Sequence, residues 1–204
     1  MNRLSSSLLG LILGILVVAL SGCASTPPTR FFVLSSISGP EEMRSREVEH
    51  CFGIGIGPVK IPEYLNQSEI VTRVTQNEVR VDEFAKWAEP LENNISHTLA
   101  ENLSSLLCIR SIAVFPWKAQ TPIDYRIDVD VIQMDGMLGG SALLDVSWTI
   151  SDGTDRKKPA LVTKRSTYRE PTTAGDYGSL VSAQSRNLAS LSRAIAEAIL
   201  QLSK

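Results

Sequence analysis

The N-terminal segment is the feature that most constrains this chain, because it decides in which compartment the remaining residues must fold. Arg3 is followed by an uncharged apolar run over residues 8–20, with the sequence LLGLILGILVVAL. A run of this length fits the apolar core of a signal peptide, about 7 to 15 residues, and is shorter than the roughly 20 residues needed to span a bilayer. The chain is therefore predicted to be exported.

The signal ends in a motif that predicts covalent lipidation. The tetrapeptide Leu20-Ser21-Gly22-Cys23 resembles the bacterial lipobox, in which the Cys thiol is diacylglycerated and the signal is cut just before it. Small residues before the Cys let an extended backbone enter a narrow protease cleft. Each acyl chain, such as palmitate, contributes about 0.8 kcal/mol per buried CH₂, and one chain alone holds a protein only marginally. Bacterial lipoproteins usually carry three chains, so the anchor would be effectively permanent.

These observations divide the chain into a signal peptide (1–22), an acylated Cys23 with a polar tether (23–30) and one folded domain (31–204). Residues 24 and 25 are Ala and Ser. The chain thus lacks the Asp after the Cys that commonly retains lipoproteins at the inner membrane, and we expect a lipid anchor at the periplasmic face of the outer membrane. The alternative is a soluble secreted protein with an accidental Cys near its cleavage site.

Composition excludes several classes of protein. The chain is 43% apolar and 21% charged, unlike a disordered polymer. Its formal charge of -2 is too balanced for a protein that binds nucleic acid by neutralising phosphates. No repeat or internal linker is visible, which favours a single domain.

Hydrophobic periodicity predicts an α+β fold. Alternation of apolar and polar residues is clearest in residues 123–134 and 142–150, and apolar stripes at helical spacing mark helices over about 90–107 and 179–202. The first helix carries Glu92, Asn93, Asn94, Glu101 and Asn102, not basic residues, so we expect it to lie on a sheet and not on a bilayer. Shorter strands are predicted in the following stretches: 31–34, 52–62, 70–75, 78–83, 111–117 and 160–168. We expect a mixed, mostly antiparallel sheet with both amphipathic helices packed on it.

Cys51 and Cys108 remain once Cys23 is assigned to lipid. In an oxidising periplasm they are a candidate disulfide. The alternatives are two separate buried thiols, or a metal site with His50 and His97. The metal site lacks the close Cys and His spacing of known zinc motifs.

No catalytic motif is present. The sequence contains no G-x-S-x-G, H-E-x-x-H or P-loop, and adjacent strand residues such as His50 and Cys51 point to opposite faces. Asp124, Asp128 and Asp130 alternate along one predicted strand, as in a solvated strand face, whereas calcium ligands cluster in a Gly-containing loop. We therefore expect a non-enzymatic protein without a cofactor or a metal.

An ordered set of motifs resembles a known family. After the lipobox come an aromatic run at 31–34, then Pro58-Val-Lys-Ile-Pro62-Glu-Tyr-Leu65, Ile70-Val71, Trp87-Ala88-Glu89-Pro90-Leu91 and a late helix around 183–196. This order is similar to the PqiC/YmbA family of auxiliary lipoproteins of ABC-type (MCE) transport systems. The resemblance covers the whole mature chain, and the Cys51–Cys108 pair is not part of it.

The resemblance implies a non-catalytic subunit at the outer membrane. Such a subunit would dock the outer end of a periplasm-spanning MCE-domain protein, which works with a membrane permease to move phospholipid between membranes and supports membrane integrity. It also implies a homo-oligomeric ring. The alternatives are a stand-alone periplasmic lipoprotein that binds or modifies lipid, and a lipoprotein that stabilises the envelope.

Three residues near prolines are candidate partner contacts: Tyr64, Leu65 and Trp87. Exposed aromatic side chains held by neighbouring prolines would make rigid anchors for a partner. The alternative is that Tyr64 and Trp87 are core residues that seal the sheet edge.

The lipobox assignment gives the first testable prediction. Replacing Cys23 by Ser removes the thiol that accepts the lipid, so we expect Cys23→Ser to keep its signal peptide and carry no acyl mass. Intact-mass spectrometry and membrane fractionation measure both, with Cys51→Ser as a control that remains acylated. Wild-type protein isolated with an unmodified Cys23 thiol would contradict the assignment.

Overall fold

Eight strands and two long helices follow one another in the described part of the chain. The computed structural model describes residues 27–37, 51–117, 121–155 and 158–203, so Cys23, the signal peptide and His50 lie outside the described residues. The elements are β1 (Arg30–Phe32), β2 (Phe52–Lys60), β3 (Glu69–Thr75), β4 (Glu78–Trp87), α1 (Leu91–Leu106), β5 (Ile109–Val114), β6 (Tyr125–Gly136), β7 (Ser141–Asp152), β8 (Val162–Pro171) and α2 (Tyr177–Leu202). A single 3-10 turn, Glu63–Leu65, lies between β2 and β3.

The larger sheet has five strands in the order β5-β2-β6-β7-β8. β2 pairs in parallel with β5 and β6, and β6, β7 and β8 form an antiparallel meander. The register of β2 against β6 shifts between Ile56 and Val59, where Gly57 has a φ of 102° that favours glycine. β2 is therefore irregular at Gly57 and Pro58.

Alternation along β6 and β7 places one row of apolar side chains under the helices. In β6 these are Ile127, Val129 and Val131, each no more than 2% exposed. Their counterparts in β7 are Ala142, Leu144, Val146, Trp148 and Ile150. The period of two in the sequence thus marks the side of the sheet that faces the core.

Both helices bury one apolar stripe, as predicted. α1 buries Leu91, Ile95, Leu99, Leu103 and Leu106, and α2 buries Leu180, Leu188, Leu191, Ile195 and Ile199. α2 begins at Asp176, whose carboxylate accepts hydrogen bonds from the backbone N–H groups of Gly178 and Ser179. The α+β class is confirmed.

Two asparagines of α1 differ from the predicted solvent-facing role. Asn94 and Asn102 are 2% and 0% exposed. Their side-chain oxygens accept hydrogen bonds from the backbone N–H groups of Leu34 (3.1 Å) and Ile37 (2.7 Å). The two side chains thus supply hydrogen-bond acceptors to the backbone of the segment that follows β1, because this segment lies over the helix and has no neighbouring strand to pair with.

The smaller sheet has three strands in the order β1-β4-β3. β1 pairs in parallel with the end of β4, and β3 and β4, predicted as separate strands, form an antiparallel hairpin around Gln76 and Asn77. The described strands thus form two sheets, and three of their six pairings are parallel, where the sequence predicted one mostly antiparallel sheet. Strand direction depends on distant partners, which local periodicity does not specify.

Among the described helices, neither combines the length and the hydropathy that crossing a membrane requires.

A disulfide joins the starts of β2 and β5. Cys51 and Cys108 are bonded, with their Cα atoms 4.6 Å apart, and the N–H of Phe52 donates to the Cys108 carbonyl over 2.9 Å. His97, the described histidine of the alternative metal set, lies on exposed α1 surface with its Nδ1 3.5 Å from a Glu89 oxygen. These two cysteines therefore form a covalent link between parallel strands.

The disulfide gives a second testable prediction. It closes a loop with a sequence separation of 57 residues, and chain entropy assigns such a cross-link up to about 4 kcal/mol of stability. We expect the Cys51→Ser/Cys108→Ser double variant to keep its fold and to unfold at a lower urea concentration. Its free energy of unfolding should be lower by up to about 4 kcal/mol. Reductant should shift the wild type in the same way and leave the double variant unchanged. Equal midpoints for oxidised and reduced wild type would show that the link does not stabilise the fold.

Candidate functional site

The candidate site lies where the chain passes from the larger sheet to the smaller one. After β2, Pro62 precedes the 3-10 turn, and the N–H groups of Leu65 and Asn66 donate to the carbonyls of Pro62 and Glu63 over 2.9 and 3.0 Å. Proline suits this position because its fixed φ matches a helical start and its missing N–H is not needed there. The turn holds Tyr64 and Leu65 in a fixed orientation.

Tyr64 belongs to a buried polar cluster around Asp135, which is 2% exposed. The Tyr64 hydroxyl donates to Asp135 Oδ2 over 2.9 Å. Arg73 forms a two-pronged ion pair with the same carboxylate, from Nε to Oδ1 at 2.9 Å and from Nη2 to Oδ2 at 2.6 Å. Gln133 Nε2 donates to Oδ1 over 2.8 Å. Four donors from three elements therefore converge on one carboxylate.

The cluster is also joined to α2. Gln184, 2% exposed, donates from Nε2 to the backbone carbonyls of Asp135 (2.9 Å) and Leu143 (3.1 Å). β3, β6, β7, α2 and the 3-10 turn thus meet at Asp135, which couples the two sheets.

The electrostatics of the cluster explain its ionisation state. Burial alone would raise the pKa of the Asp135 carboxyl, but hydrogen bonds from Arg73, Gln133 and Tyr64 outweigh burial and hold this pKa below its ordinary value. Burial, together with the neighbouring Asp135 charge, raises the pKa of Tyr64 to about 12. Asp135 is therefore ionised and Tyr64 protonated at neutral pH.

In this arrangement the polar groups bind one another within the protein. The Asp135 carboxylate is occupied by its four hydrogen bonds, and the raised pKa of Tyr64 keeps its hydroxyl protonated at neutral pH, where it serves as a hydrogen-bond donor. Within the described residues, no group of three or more His, Cys, Asp or Glu side chains could hold a metal ion.

The predicted partner residues are less exposed than the sequence interpretation required. Leu65 is 3% and Trp87 8% exposed, and both are part of the core. Tyr64 is partly buried and packs against the core while its hydroxyl reaches Asp135. The expectation of exposed aromatic anchors is wrong. The alternative, in which Tyr64 and Trp87 seal the sheet edge, describes their positions.

Trp87 nevertheless lies against an open pocket of ≈ 350 Å³. The walls are fixed by backbone hydrogen bonds, from Trp87 N to the Ser68 carbonyl (2.7 Å) and from Ala88 N to the Phe32 carbonyl (2.9 Å). We call this the Trp87 pocket; its lining residues are Asn66, Gln67, Ser68, Trp87, Ala88, Glu89, Pro90 and Leu91. Its lining is mainly apolar and includes two amides, a hydroxyl and the Glu89 carboxylate; an apolar lining with a few polar groups suits an apolar group of a ligand.

A second pocket, of ≈ 440 Å³, lies between residues 35–37 and α2. It is lined by hydroxyl groups and by Arg186, whose Nε donates to Glu170 Oε2 over 2.8 Å.

Sequence reasoning missed Arg73 and Asp135. Asp135 lies near the end of β6, after a register shift between Val131 and Gln133. The strict alternation that places Asp124, Asp128 and Asp130 in one polar row therefore does not extend to it. A shifted register moves a side chain to the other face of a sheet. The one available signal was a carboxylate next to Gly136 at the end of an otherwise alternating strand.

Comparison with known families identifies one match over most of the chain. The family described as "ABC-type transport auxiliary lipoprotein component" matches residues 32–196, from β1 into α2. No curated protein matches this chain.

Two crystal structures share the fold at low sequence identity. Protein XCC0632 from Xanthomonas campestris has a TM-score of 0.69 and 12% identity, over 86% of this chain and 99% of that protein. An uncharacterized protein has a TM-score of 0.65 and 17% identity, over 85% of this chain and 99% of its own. This likeness concerns the fold alone.

The Asp135 cluster gives a third testable prediction. Asp135→Asn keeps the shape of the side chain but leaves the Arg73 guanidinium, which is 23% exposed, without its counter-ion. Because breaking a buried ion pair costs about 3 kcal/mol or more, we expect the free energy of unfolding to fall by that amount. As a control, Asp145→Asn breaks the 2.6 Å pair with Arg165, whose side chain is 64% exposed; such a pair contributes at most about 1 kcal/mol.

The same variants should differ in their pH dependence. Because the pKa of Asp135 is lower in the folded state, its stabilising contribution is complete above the unfolded value of about 3.9 and is lost as pH falls through the folded value. Urea titrations should show a large difference in the free energy of unfolding between the wild type and Asp135→Asn at pH 7, and a smaller difference near pH 2. A difference independent of pH would mean that packing, and not charge, dominates.

Proposed function

Because this chain belongs to the family of ABC-type transport auxiliary lipoprotein components, we propose that it docks a periplasm-spanning MCE-domain subunit of a phospholipid transport system at the outer membrane. The observation that carries the proposal is the family match, which extends from β1 into α2 and so includes both the candidate site and the core. In this role Cys23 carries the lipid, residues 24–30 form the tether, and the folded domain binds the partner.

The chemistry of the site supports a binding role over a catalytic one. The Asp135 carboxylate, which accepts four hydrogen bonds, stabilises the junction of the sheets. The Trp87 pocket offers a mainly apolar lining with a few polar groups. A pocket with fixed walls suits binding because little conformational entropy is lost when a partner side chain enters.

The Trp87 pocket is the proposed docking point for an apolar side chain of the MCE-domain subunit. Trp87 supplies the floor from within the core, so its role is to shape the pocket and not to project into the partner. The exposed lining residues form the part of the rim that a partner would contact: Asn66, Gln67, Ser68, Ala88 and Pro90. Several copies in a ring would match a symmetric MCE assembly.

The fourth testable prediction fills this pocket without changing the core. Ala88 is exposed and lines the pocket, so Ala88→Trp should occupy the space while its backbone hydrogen bond to Phe32 remains. We expect the variant to melt like the wild type and to recover several-fold less MCE-domain subunit in co-purification from membranes.

Ala160→Trp is the matched control, because Ala160 is an exposed alanine in the connection between β7 and β8. It should recover the MCE-domain subunit normally. Equal recovery by Ala88→Trp and Ala160→Trp would exclude the Trp87 pocket as the docking point. If the wild type recovers no MCE-domain subunit, the docking role itself is wrong, and a lipoprotein that binds lipid alone becomes the better hypothesis.

A further inference from the structure

The larger sheet ends at β8, which is a long and regular edge strand. β8 pairs with β7 on one side, and in the described part of the chain no strand pairs with its other side. Natural sheet edges are commonly blunted by short strands, bulges or proline. β8 has 10 residues, with a proline only at its last position, and its pairing with β7 runs regularly from Pro171 to Val162. Its outer edge is therefore open to another strand.

The other described edges of the two sheets differ from β8. β1 has 3 residues and β5 has 6. β3 has 7 residues, and two register shifts interrupt its pairing with β4. Short or irregular edges offer few evenly spaced backbone groups to a partner. Among the described edges, β8 is thus the one suited to the addition of a strand.

The pairing with β7 shows which backbone groups of β8 face outward. The N–H of Thr172, next to β8, donates to the Gly140 carbonyl over 3.0 Å, and the same register continues through β8. Hydrogen-bonded and non-hydrogen-bonded pairs alternate along antiparallel strands. The even-numbered residues of β8 therefore bond to β7, and the odd-numbered residues turn their N–H and C=O groups outward. We call these outward-facing residues the β8 edge: Thr163, Arg165, Thr167 and Arg169.

The side chains of the β8 edge form one exposed, positively charged row. They alternate with the residues that face the core and so share one face of the sheet. Arg165 lies 2.6 Å from Asp145, yet its side chain stays 64% exposed. Arg169 forms no ion pair with any acidic side chain of the described residues. This row therefore favours acidic groups on a neighbouring strand.

The opposite row of β8 is partly apolar. Val162 and Tyr168 are partly buried and pack against the core. Lys164 lies between them in sequence, with its Nζ 5.8 Å from the centre of the Trp148 ring. An apolar side chain placed beside this row would remove further apolar surface from water.

We propose that the β8 edge binds an extended segment of a partner protein as an additional strand of the larger sheet, and that acidic residues alternate with apolar ones in this segment. Strand addition satisfies the outward N–H and C=O groups, and the side chains then determine which segment fits. Acidic residues would face Arg165 and Arg169, and apolar residues would cover Val162 and Tyr168. A second copy of β8 fits less well, because it would bring two rows of arginine together.

Binding of designed peptides to the full-length lipoprotein in detergent micelles tests the proposal. The probe is a fluorescent peptide as long as β8, made of alternating glutamate and valine, and fluorescence anisotropy measures its affinity. A peptide of alternating glutamate and proline has the same charge but lacks the N–H groups for a strand ladder. A peptide of alternating lysine and valine can form the ladder but has the opposite charge. We expect the glutamate–valine peptide to bind several-fold more tightly than either control.

The variant Thr167→Pro separates strand addition from attraction between charges. It removes an N–H that faces outward and is not bonded to β7, and proline is tolerated at such edge positions. We expect Thr167→Pro to melt like the wild type and to bind the glutamate–valine peptide several-fold more weakly. Thr167→Ala is the matched control, because it keeps the N–H, and it should bind the peptide normally.

Amide hydrogen exchange measured by NMR on the wild type gives a second readout, which decides the question even if Thr167→Pro does not fold. The glutamate–valine peptide should slow exchange at residues 163, 165, 167 and 169. Residues 164, 166 and 168 should change little, because their N–H groups are already bonded to β7. Attraction between charges alone would not produce this alternation.

Three other outcomes overturn the proposal. Absence of binding by the glutamate–valine peptide shows that the β8 edge accepts no such strand. Equal binding of the glutamate–proline peptide, or by Thr167→Pro, shows that only charges attract the peptide. Wild-type protein that self-associates without peptide, and does so less as Thr167→Pro, shows that a second copy occupies the β8 edge. Because the β8 edge belongs to the larger sheet and the Trp87 pocket lies at the smaller one, these outcomes leave the proposed docking at the Trp87 pocket unaffected.

Discussion

The buried carboxylate of Asp135 is the contact on which the relation between the two sheets depends. Arg73 brings β3 to it, Tyr64 brings the 3-10 turn, and Gln184 fixes the same backbone to α2. Such a cluster is stable only when every member has its partner, since an unpaired buried charge is costly. A sheet of three strands depends on the packing of its apolar face for stability. Its position, and with it the shape of the Trp87 pocket, therefore follows from this one network.

Local periodicity was enough to predict the helices and most strands, because each buries a single stripe or face. The parallel pairing of β2 with β5 and β6 was not predictable in this way, since it joins segments far apart in sequence. Asn94 and Asn102 escaped prediction for a related reason. Residue type marks them as polar, but the backbone they bind comes from the far N-terminal segment.

The candidate site shows the same limit. The family resemblance, carried in part by the motifs around residues 64 and 87, was confirmed by the match over residues 32–196, while the partner contact of these residues stays a prediction. The expected exposure of the aromatic side chains was wrong, because Trp87 is part of the core and Tyr64 packs against it with its hydroxyl on Asp135. A short motif specifies backbone shape, whereas burial depends on what packs above it. Arg73 and Asp135 are joined across two sheets and leave no local pattern.

A lipid anchor alone fixes where a domain is and leaves free how it is turned, because a tether of a few residues allows rotation about its bonds. A docking pocket works only if it faces the partner. Backbone hydrogen bonds fix the Trp87 pocket to the three-stranded sheet, so its direction is that of the domain as a whole. Protein XCC0632 has the same fold at 12% sequence identity, as expected when a core requires apolar residues at the right spacing and not particular residues.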